Sequence, residues 1–344
     1  MQLKRGNLSD QVYDITIVGA GPVGLFAAYY SGLRDLTTKI IDHLPQVGGQ
    51  LTTLYPQKYI YDVAGFTKIQ ASELAENLYE QAKQYNPAFC LNQRVHRLSY
   101  LDDGSLKVTA ESGEVHLTKK LIITAGAGVF SPKKLEVPGV EKFLDRDFYY
   151  LVTDVEKFRK KKLLVIGGGD TALDWAIYLK EVARRVTLIH RSNKFVAAPS
   201  SIKQLLSSKI EVLTFTELKE IKGNSHLEGV VVINNTTKEE KELEIDSILC
   251  CIGFTPNLGP LKEWGLELAA SSIKVNQRME TNLSGIYAAG DVTTYDGKLR
   301  LICTGFSEAA IAVNHAAHAI NPELRIFPGY STNLAEKKTQ QLVD

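Results

Sequence analysis

The feature that most constrains the fold of this chain is a pattern that occurs twice. Each copy has a short apolar run, a glycine-rich turn, a helix-compatible stretch, a second apolar run and a polar residue at its end. One Gly-x-Gly-x-x-Gly match is weak on its own, but this whole order repeated predicts two nucleotide-binding βαβ units. The two turns and their strand ends are Gly19-Ala-Gly21-Pro22-Val-Gly24 with Asp42, and Gly167-Gly-Gly169-Asp170-Thr171-Ala172 with His190-Arg191.

Each position of the repeated turn has a physical reason. The first glycine permits the tight turn off the strand, and the second lets the backbone approach a pyrophosphate. The third position, Gly24 or Ala172, lets the helix pack against the strand. The pyrophosphate would lie on unpaired N–H groups at the helix N-terminus, so two units predict two dinucleotides. The predicted strands cover 14–18, 37–41, 162–166 and 185–189, and the predicted helices cover 25–33 and 173–183.

The residues that end the second strands distinguish the two nucleotides. Asp42 suits a ribose diol and would repel a 2′-phosphate, which favours FAD or NAD in the first unit. His190 and Arg191 supply donors and positive charge, with Lys194 nearby, which favours an NADP-type phosphate in the second. The alternative reading of His190-Arg191 is a solvated strand end, and its register with Asp42 weighs against that reading.

A third element, near the C-terminus, favours flavin in the first unit. Residues 281–292 predict a turn, a short strand and a Gly290-Asp291 pair, followed by an alanine-rich helix over 305–319. An Asp at the carboxyl end of a strand can accept hydrogen bonds from ligand hydroxyls, such as a ribityl chain. The alternative is that Asp291 only caps the next turn.

Composition limits the class of protein. The 344 residues correspond to about two domains, and 40 Lys and Arg against 39 Asp and Glu leave a net charge of +1. We therefore expect neither nucleic acid nor an anionic membrane as a partner. The cysteines at 90, 250, 251 and 303 form no disulfide framework and no metal spacing, so we predict no metal and a cytoplasmic location. Glycines interrupt the apolar stretch 15–30, which disfavours a signal peptide.

With these motifs in place, the chain resembles the ferredoxin–NADP reductases of the thioredoxin-reductase-like branch, from Asp14 to about Thr332. This resemblance implies FAD and NADPH as cofactors, ferredoxin or flavodoxin as electron acceptor, and a homodimer. The reaction it implies is hydride transfer from nicotinamide to flavin, followed by single-electron steps. The most specific stretches are 48–51, 54–56, 58–66, 122–130 and 328–332.

The resemblance also assigns contacts to individual residues. Tyr55 and Tyr330 match two aromatic positions that sandwich the isoalloxazine, since a flat ring system prefers flat aromatic neighbours. Without the family pattern, either tyrosine would be read as an ordinary half-buried aromatic. No side-chain acid or base is required, because the cofactors supply the chemistry. The implied FAD contacts are Gly19, Gly21, Pro22, Gly24, Asp42, Gln50, Tyr55, Val95 at the adenine, Phe130, Asp291 and Thr332, and those for NADPH are Gly167, Gly169, Asp170, Thr171, His190 and Arg191.

Cysteine positions separate this chain from its disulfide-reducing neighbours. Residues 149–154, where thioredoxin reductases of the branch carry a CxxC, contain no cysteine. Cys250 and Cys251 are adjacent on a strand predicted over 247–252, so their side chains should point apart and be structural. Electrons would then leave the flavin directly. Two alternatives stay open, a disulfide reductase that acts with a separate thiol protein and a non-enzymatic NADPH-sensing flavoprotein.

The second unit interrupts the first, which predicts a discontinuous fold. Residues 1–130 and 253–344 would form the FAD domain and 131–252 the NADPH domain. Both would be α/β, three-layer Rossmann-like domains with a central parallel sheet, joined by a two-strand hinge. Ser192 stands where relatives often have a second arginine, so one charged hydrogen bond, worth about 1.5 to 3 kcal/mol, is missing. The predicted preference for NADPH over NADH is correspondingly looser.

Overall fold

The computed structural model describes residues 11–126 and 128–332. The helices are Pro22–Leu33 (α1), Gln50–Thr53 (α2), Ala71–Lys83 (α3), Asp170–Leu179 (α4), Pro199–Leu206 (α5) and Ile302–Ile320 (α6), with short 3-10 turns at Val140–Lys142, Val155–Phe158 and Gly259–Glu263. The strands are Val12–Val18 (β1), Thr38–Ile41 (β2), Tyr59–Ile60 (β3), Ile69–Gln70 (β4), Ala88–Cys90 (β5), Val95–Tyr100 (β6), Leu106–Ala110 (β7), Val115–Ile123 (β8), Val129–Pro132 (β9), Phe148–Tyr149 (β10), Lys162–Ile166 (β11), Arg185–His190 (β12), Glu211–Thr214 (β13), Thr216–Lys222 (β14), Gly229–Asn234 (β15), Glu240–Leu243 (β16), Ser247–Cys250 (β17), Phe254–Asn257 (β18), Leu268–Ala269 (β19), Ser272–Lys274 (β20), Ile286–Ala288 (β21) and Thr293–Thr294 (β22).

The described residues form two compact units. Unit 1 contains those up to Val129 and those from Pro256 onward, and unit 2 is Phe130–Thr255. The chain passes between the units in β9 and β18, which pair as a two-stranded sheet. Within 11–126 and 128–332, no helix has both the length and the apolar character needed to cross a membrane.

Unit 1 is built on a mixed sheet in the order β5-β2-β1-β8-β7-β6, with β21 added beside β8. β1 pairs in parallel with β2 and β8, and its apolar sequence suits a strand buried on both faces. One face, with Ile15 and Ile17, packs against α1, α3 and α6, and the other, with Val18, packs against the segment around β20. The antiparallel β6–β7–β8 meander is a feature that the prediction of a parallel sheet missed.

Unit 2 has an all-parallel sheet in the order β10-β17-β11-β12-β13. α4 and α5 cover one face, and the antiparallel sheet β14-β15-β16 covers the other. The prediction of α/β, three-layer Rossmann-like architecture is therefore confirmed, since each unit has a sheet with a layer on either face.

Several predicted element boundaries were wrong. The helix predicted over 25–33 begins earlier, because Pro22 occupies its first turn with a backbone angle already suited to a helix. The helix predicted over 173–183 begins at Asp170 and ends at Leu179, where the chain turns into β12. The strand predicted over 247–252 ends at Cys250, ahead of Gly253, whose φ of +101° leaves the extended region.

Candidate dinucleotide sites

In the first glycine turn, the backbone has open space beside Gly21 and none beside Gly24. Gly19 has a φ of +114°, and its N–H donates to the carbonyl of Ile41 at 2.9 Å. A Cβ at Gly24 would lie 1.9 Å from the Gly19 carbonyl oxygen, whereas a Cβ at Gly21 would meet no atom within 4 Å. The turn is therefore closed on its helix side and open beside Gly21, which fits the approach of a pyrophosphate.

The Asp42 carboxylate is fixed at the end of β2 by backbone donors. The residue is buried, and its Oδ2 accepts a hydrogen bond from the N–H of Ala20, within the glycine turn, at 2.6 Å. Oδ1 accepts from the N–H of Leu44 at 2.8 Å and lies 3.2 Å from Nδ1 of His43. A carboxylate held in this way is an oriented acceptor next to the open side of the turn.

The Gly48-Gly49-Gln50 segment lies on the same turn. The N–H of Gly48 donates to the carbonyl of Ala20 at 2.8 Å, and a Cβ at Gly49 would come within 3.0 Å of the Gly21 Cα. Gln50 begins α2, and its Nε2 lies 3.4 Å from the Cβ position of Gly126, after β8. The structure thus brings Gln50 to the carboxyl ends of the central strands.

Asp291 is brought to the first turn of α1. Cβ atoms at Gly290 and Gly305 would lie 3.2 Å and 2.4 Å from Cγ2 of Val23, so these backbones approach α1 closely. Burial, and after it the charge of the Asp291 carboxylate, raise the pKa of the half-buried Tyr55 to about 12, so the two side chains interact electrostatically. Burial also raises the pKa of Asp291.

Of the other predicted FAD contacts, Val95, Tyr330 and Thr332 take no part in the contacts given above for this group, and Phe130 is described only in its backbone. Val95 begins β6 and is buried in the core of unit 1. Phe130 is in β9, but its side chain lies outside the described residues. Tyr330 is 72% exposed, and its ring packs edge-on against Phe327 with 5.7 Å between centroids. Thr332 is exposed and is the last residue that the structure describes.

The second glycine turn repeats the geometry of the first. Gly167 has a φ of +146°, and the third position, Ala172, is fully buried. A Cβ at Gly169 would meet only the Val196 carbonyl oxygen, at 3.8 Å. Asp170 and Thr171 form the first turn of α4, where Oδ1 of Asp170 accepts a hydrogen bond from the N–H of Ala198 at 3.0 Å.

The strand end of the second unit has contacts that the sequence did not predict. The His190 ring lies on the glycine turn, where a Cβ at Gly168 would meet it at 2.3 Å, and it stacks on Phe195 with 5.3 Å between centroids. Its Nε2 is 3.0 Å from the carbonyl of Lys194 and 3.1 Å from the Ser192 hydroxyl. Arg191 is exposed. No sequence pattern indicated a role for Phe195, and Ser192 was noted only as the position where relatives often have a second arginine.

The cysteines offer no dithiol among the described residues. All four thiols are free. Cys250 packs in the cluster beneath β14–β16 and Cys251 in the cluster beneath α4 and α5, on opposite faces of the sheet. Burial raises the pKa of Cys250 to about 12 and raises that of Cys251 as well. These thiols are thus poor nucleophiles at neutral pH.

A buried polar group in unit 1 was missed by the sequence reading. Ligand atoms of Cys90, Glu114 and His116 lie within 4.8 Å of one another. Both His116 nitrogens already have partners, since Nδ1 is 3.4 Å from Nζ of Lys39 and Nε2 is 2.8 Å from Oε1 of Gln93. Burial and the Lys39 charge lower the pKa of His116 to about 4. The group is therefore a hydrogen-bonded chain and a poor cation site.

Two such glycine turns, one ending at a carboxylate and the other at basic residues, define a dinucleotide oxidoreductase with two nucleotide sites. A family model described as pyridine nucleotide-disulphide oxidoreductase matches residues 13–317. The chain belongs to this family, in the group whose members are named ferredoxin–NADP reductase.

Relatives and solved structures agree with this placement. The chain is 46% identical to ferredoxin–NADP reductase 2 of Oceanobacillus iheyensis, over 94% of this chain and 99% of the relative. It is 47% identical to ferredoxin–NADP reductase of Halalkalibacterium halodurans, over 94% of this chain and 98% of the relative. The thioredoxin reductase of Lactococcus lactis superposes with a TM-score of 0.76 at 30% identity, covering 90% of this chain and 99% of that one.

Proposed function

We propose that this protein is a FAD-dependent oxidoreductase that passes electrons between NADPH and ferredoxin or flavodoxin. The observation that carries this proposal is the pair of glycine turns with opposite strand-end chemistry, in a chain whose described cysteines form no dithiol. The names of the relatives support the same activity. Because the described cysteines provide no thiol relay, electrons would leave a bound flavin directly.

Unit 1 would hold FAD. The pyrophosphate would lie beside Gly21, where the turn is open, and Asp42, at the end of β2, would accept hydrogen bonds from the adenosine ribose. Asp291 would accept hydrogen bonds from the ribityl chain, and the half-buried Tyr55 would stack on the isoalloxazine. The remaining assignments follow the resemblance alone: Gly19, Pro22, Gly24, Gln50, Val95, Phe130, Tyr330 and Thr332.

Unit 2 would hold NADPH. The pyrophosphate would lie on Gly167, Gly169 and the first turn of α4, which Asp170 and Thr171 form. Arg191 is exposed and supplies the positive charge for the 2′-phosphate. His190 is tied to its own loop through Nε2, so we assign it the role of a platform beside that phosphate.

The residues assigned in both units bind and orient the cofactors, and we assign proton transfer to none of them. When bound, FAD supplies the conversion of a two-electron hydride donor into a one-electron donor. Tyr55 keeps its proton throughout the physiological range, because its pKa is raised to about 12. The Tyr55 ring, the Asp42 carboxylate held by backbone donors and the half-buried Asp291 would together orient a bound FAD.

The finer parts of the proposal concern partners and location. We propose a homodimer, on the resemblance alone, and flavodoxin as a second acceptor. Four free thiols support a reducing, cytoplasmic compartment. We likewise propose residues 1–130 and 253–344 as the FAD domain and 131–252 as the NADPH domain.

The deciding experiment is spectroscopic and kinetic. Purified protein should be yellow, should be bleached by NADPH, and should reduce cytochrome c only when ferredoxin or flavodoxin is added. A colourless but folded protein would contradict the proposal. Parallel assays with thioredoxin and dithionitrobenzoate test the disulfide-reductase alternative, and slow turnover with NADPH-dependent partner association would favour a sensor.

A further inference from the structure

A buried carboxylate in unit 1 holds the turn that carries Asp291. Glu308 lies in α6 and is 2% exposed. Its Oε2 accepts a hydrogen bond from the backbone N–H of Gly290 at 2.7 Å and lies 3.5 Å from the Thr293 hydroxyl. A buried charge is tolerated only where it is paired and hydrogen-bonded. One oxygen of Glu308 is therefore committed to the residue immediately before Asp291.

The other oxygen carries the compensating charge. Oε1 of Glu308 accepts from the Tyr295 hydroxyl at 2.6 Å and forms an ion pair with Nζ of Lys298. The two charged side chains are only 3% and 6% exposed, and the ammonium also lies 5.4 Å from the centre of the Tyr295 ring. Burial and the hydrogen bond to Glu308 raise the pKa of Tyr295 to about 12, so this donor persists at neutral pH.

Both charges of the pair act on Asp291. Lys298 lowers the pKa of the Asp291 carboxyl, as Arg300 does, while Glu308 raises it. The guanidinium of Arg300 donates to the Ser272 hydroxyl at 3.1 Å. The pair is therefore linked to Asp291 through the Gly290 N–H, and its two charges act on the Asp291 carboxyl with opposite sign.

We propose that Lys298 and Glu308 are positioning residues for FAD, which fix the Gly290-Asp291 turn and keep the net charge behind the flavin neutral. Through the first role they set the affinity for FAD, and through the second they set its reduction potential. The inference rests on the proposed function, because it requires FAD at Asp291.

The test is a cycle of charge changes in the FAD-loaded protein, with the midpoint potential of the flavin measured by dye equilibration. Glu308→Gln leaves an unpaired positive charge, which favours the reduced flavin, so the potential should rise. Lys298→Met leaves a negative charge, so the potential should fall. The double variant restores neutrality and should return the potential towards that of the wild type.

A binding measurement accompanies the potentials. Glu308→Gln should raise the dissociation constant of the apoprotein for FAD by about tenfold, because the Gly290 N–H loses a charged acceptor. Glu80 and Lys83 of α3 form a matched exposed pair, with side chains 55% and 54% exposed. Glu80→Gln with Lys83→Met should change neither the potential nor the affinity.

The outcomes separate the inference from the function on which it rests. If the midpoint potential moves in the same direction in both single variants, or changes in neither of them, the pair has only a structural role. Either result would overturn the inference. If Glu308→Gln does not fold, Lys298→Met and the double variant carry the same comparison. Wild-type protein that binds no FAD would instead refute the proposed function.

Discussion

Replacing Gly21 with Ala should remove FAD binding without unfolding the protein. The Gly21 backbone, at φ −71° and ψ −177°, is allowed for alanine, and the added Cβ meets no atom within 4 Å. Alanine is a poorer N-cap than glycine, which destabilises the folded protein. Alanine also reduces the conformational entropy of the unfolded chain, which stabilises the folded protein, so the two effects oppose each other. The unfolding free energy of the apoprotein should thus change by less than about 1 kcal/mol.

The effect on FAD follows from the same open space. A methyl group keeps heavy atoms about 3.5 Å away, whereas a pyrophosphate oxygen must come within about 2.9 Å of the turn N–H groups. Losing two such charged hydrogen bonds costs about 3 to 6 kcal/mol. The dissociation constant for FAD should therefore rise about a hundred- to ten-thousand-fold.

Two matched variants complete the design. Gly24→Ala places its Cβ 1.9 Å from a backbone oxygen, so it should destabilise the apoprotein by about 3 kcal/mol. Gly169→Ala, the equivalent of Gly21 in unit 2, should weaken NADPH and leave FAD unaffected. Urea unfolding of apoprotein and fluorescence titration with FAD measure the two quantities. Wild-type FAD affinity in Gly21→Ala would refute the assignment of this turn to the pyrophosphate.

Three further predictions address the second site, the thiols and pH. Arg191→Ala should raise the Michaelis constant for NADPH about tenfold or more and leave that for NADH unchanged; equal effects would remove the 2′-phosphate assignment. Cys250→Ala combined with Cys251→Ala should retain ferredoxin-dependent turnover, and its loss would reinstate a dithiol route. The pKa of His116 falls from 6.5 to about 4 on folding, so the unfolded chain binds the extra proton. Between pH 6.5 and 4.5 the wild type should lose about 2 kcal/mol of stability relative to His116→Gln, and parallel pH dependences in urea unfolding would contradict this.

The sequence predicted the elements whose signal is local. Strand 162–166 was predicted at its observed bounds because a buried parallel strand is continuously apolar. The β14–β16 sheet escaped notice because its exposed strands are rich in Lys and Glu, and ion pairs such as Lys222 with Glu242 make it resemble a solvated surface. A helix end such as Leu179 depends on where the next strand docks, which no local pattern encodes.

The same difference between local signals and tertiary packing separates the site residues that the sequence predicted from those that it did not. The glycine turns and Asp42 were predictable because a nucleotide fixes their spacing. Glu308 was not, since its bond to Gly290 depends on the packing of α6 against the strand end. His190 shows the limit most clearly, because its residue type suggested a phosphate donor, whereas the fold uses its Nε2 to hold the loop around Lys194.

Unit 1 is proposed to bind FAD and unit 2 to bind NADPH, so the two assignments can be tested independently. Because the cofactors supply the chemistry, residues act through affinity and local charge rather than through proton transfer. Substitutions at Gly21 or Asp42 should therefore change FAD occupancy while the Michaelis constant for NADPH of the occupied fraction stays constant. Substitutions at Gly169 or Arg191 should do the reverse. A substitution in one unit that alters the rate but neither affinity nor potential would contradict this division of roles.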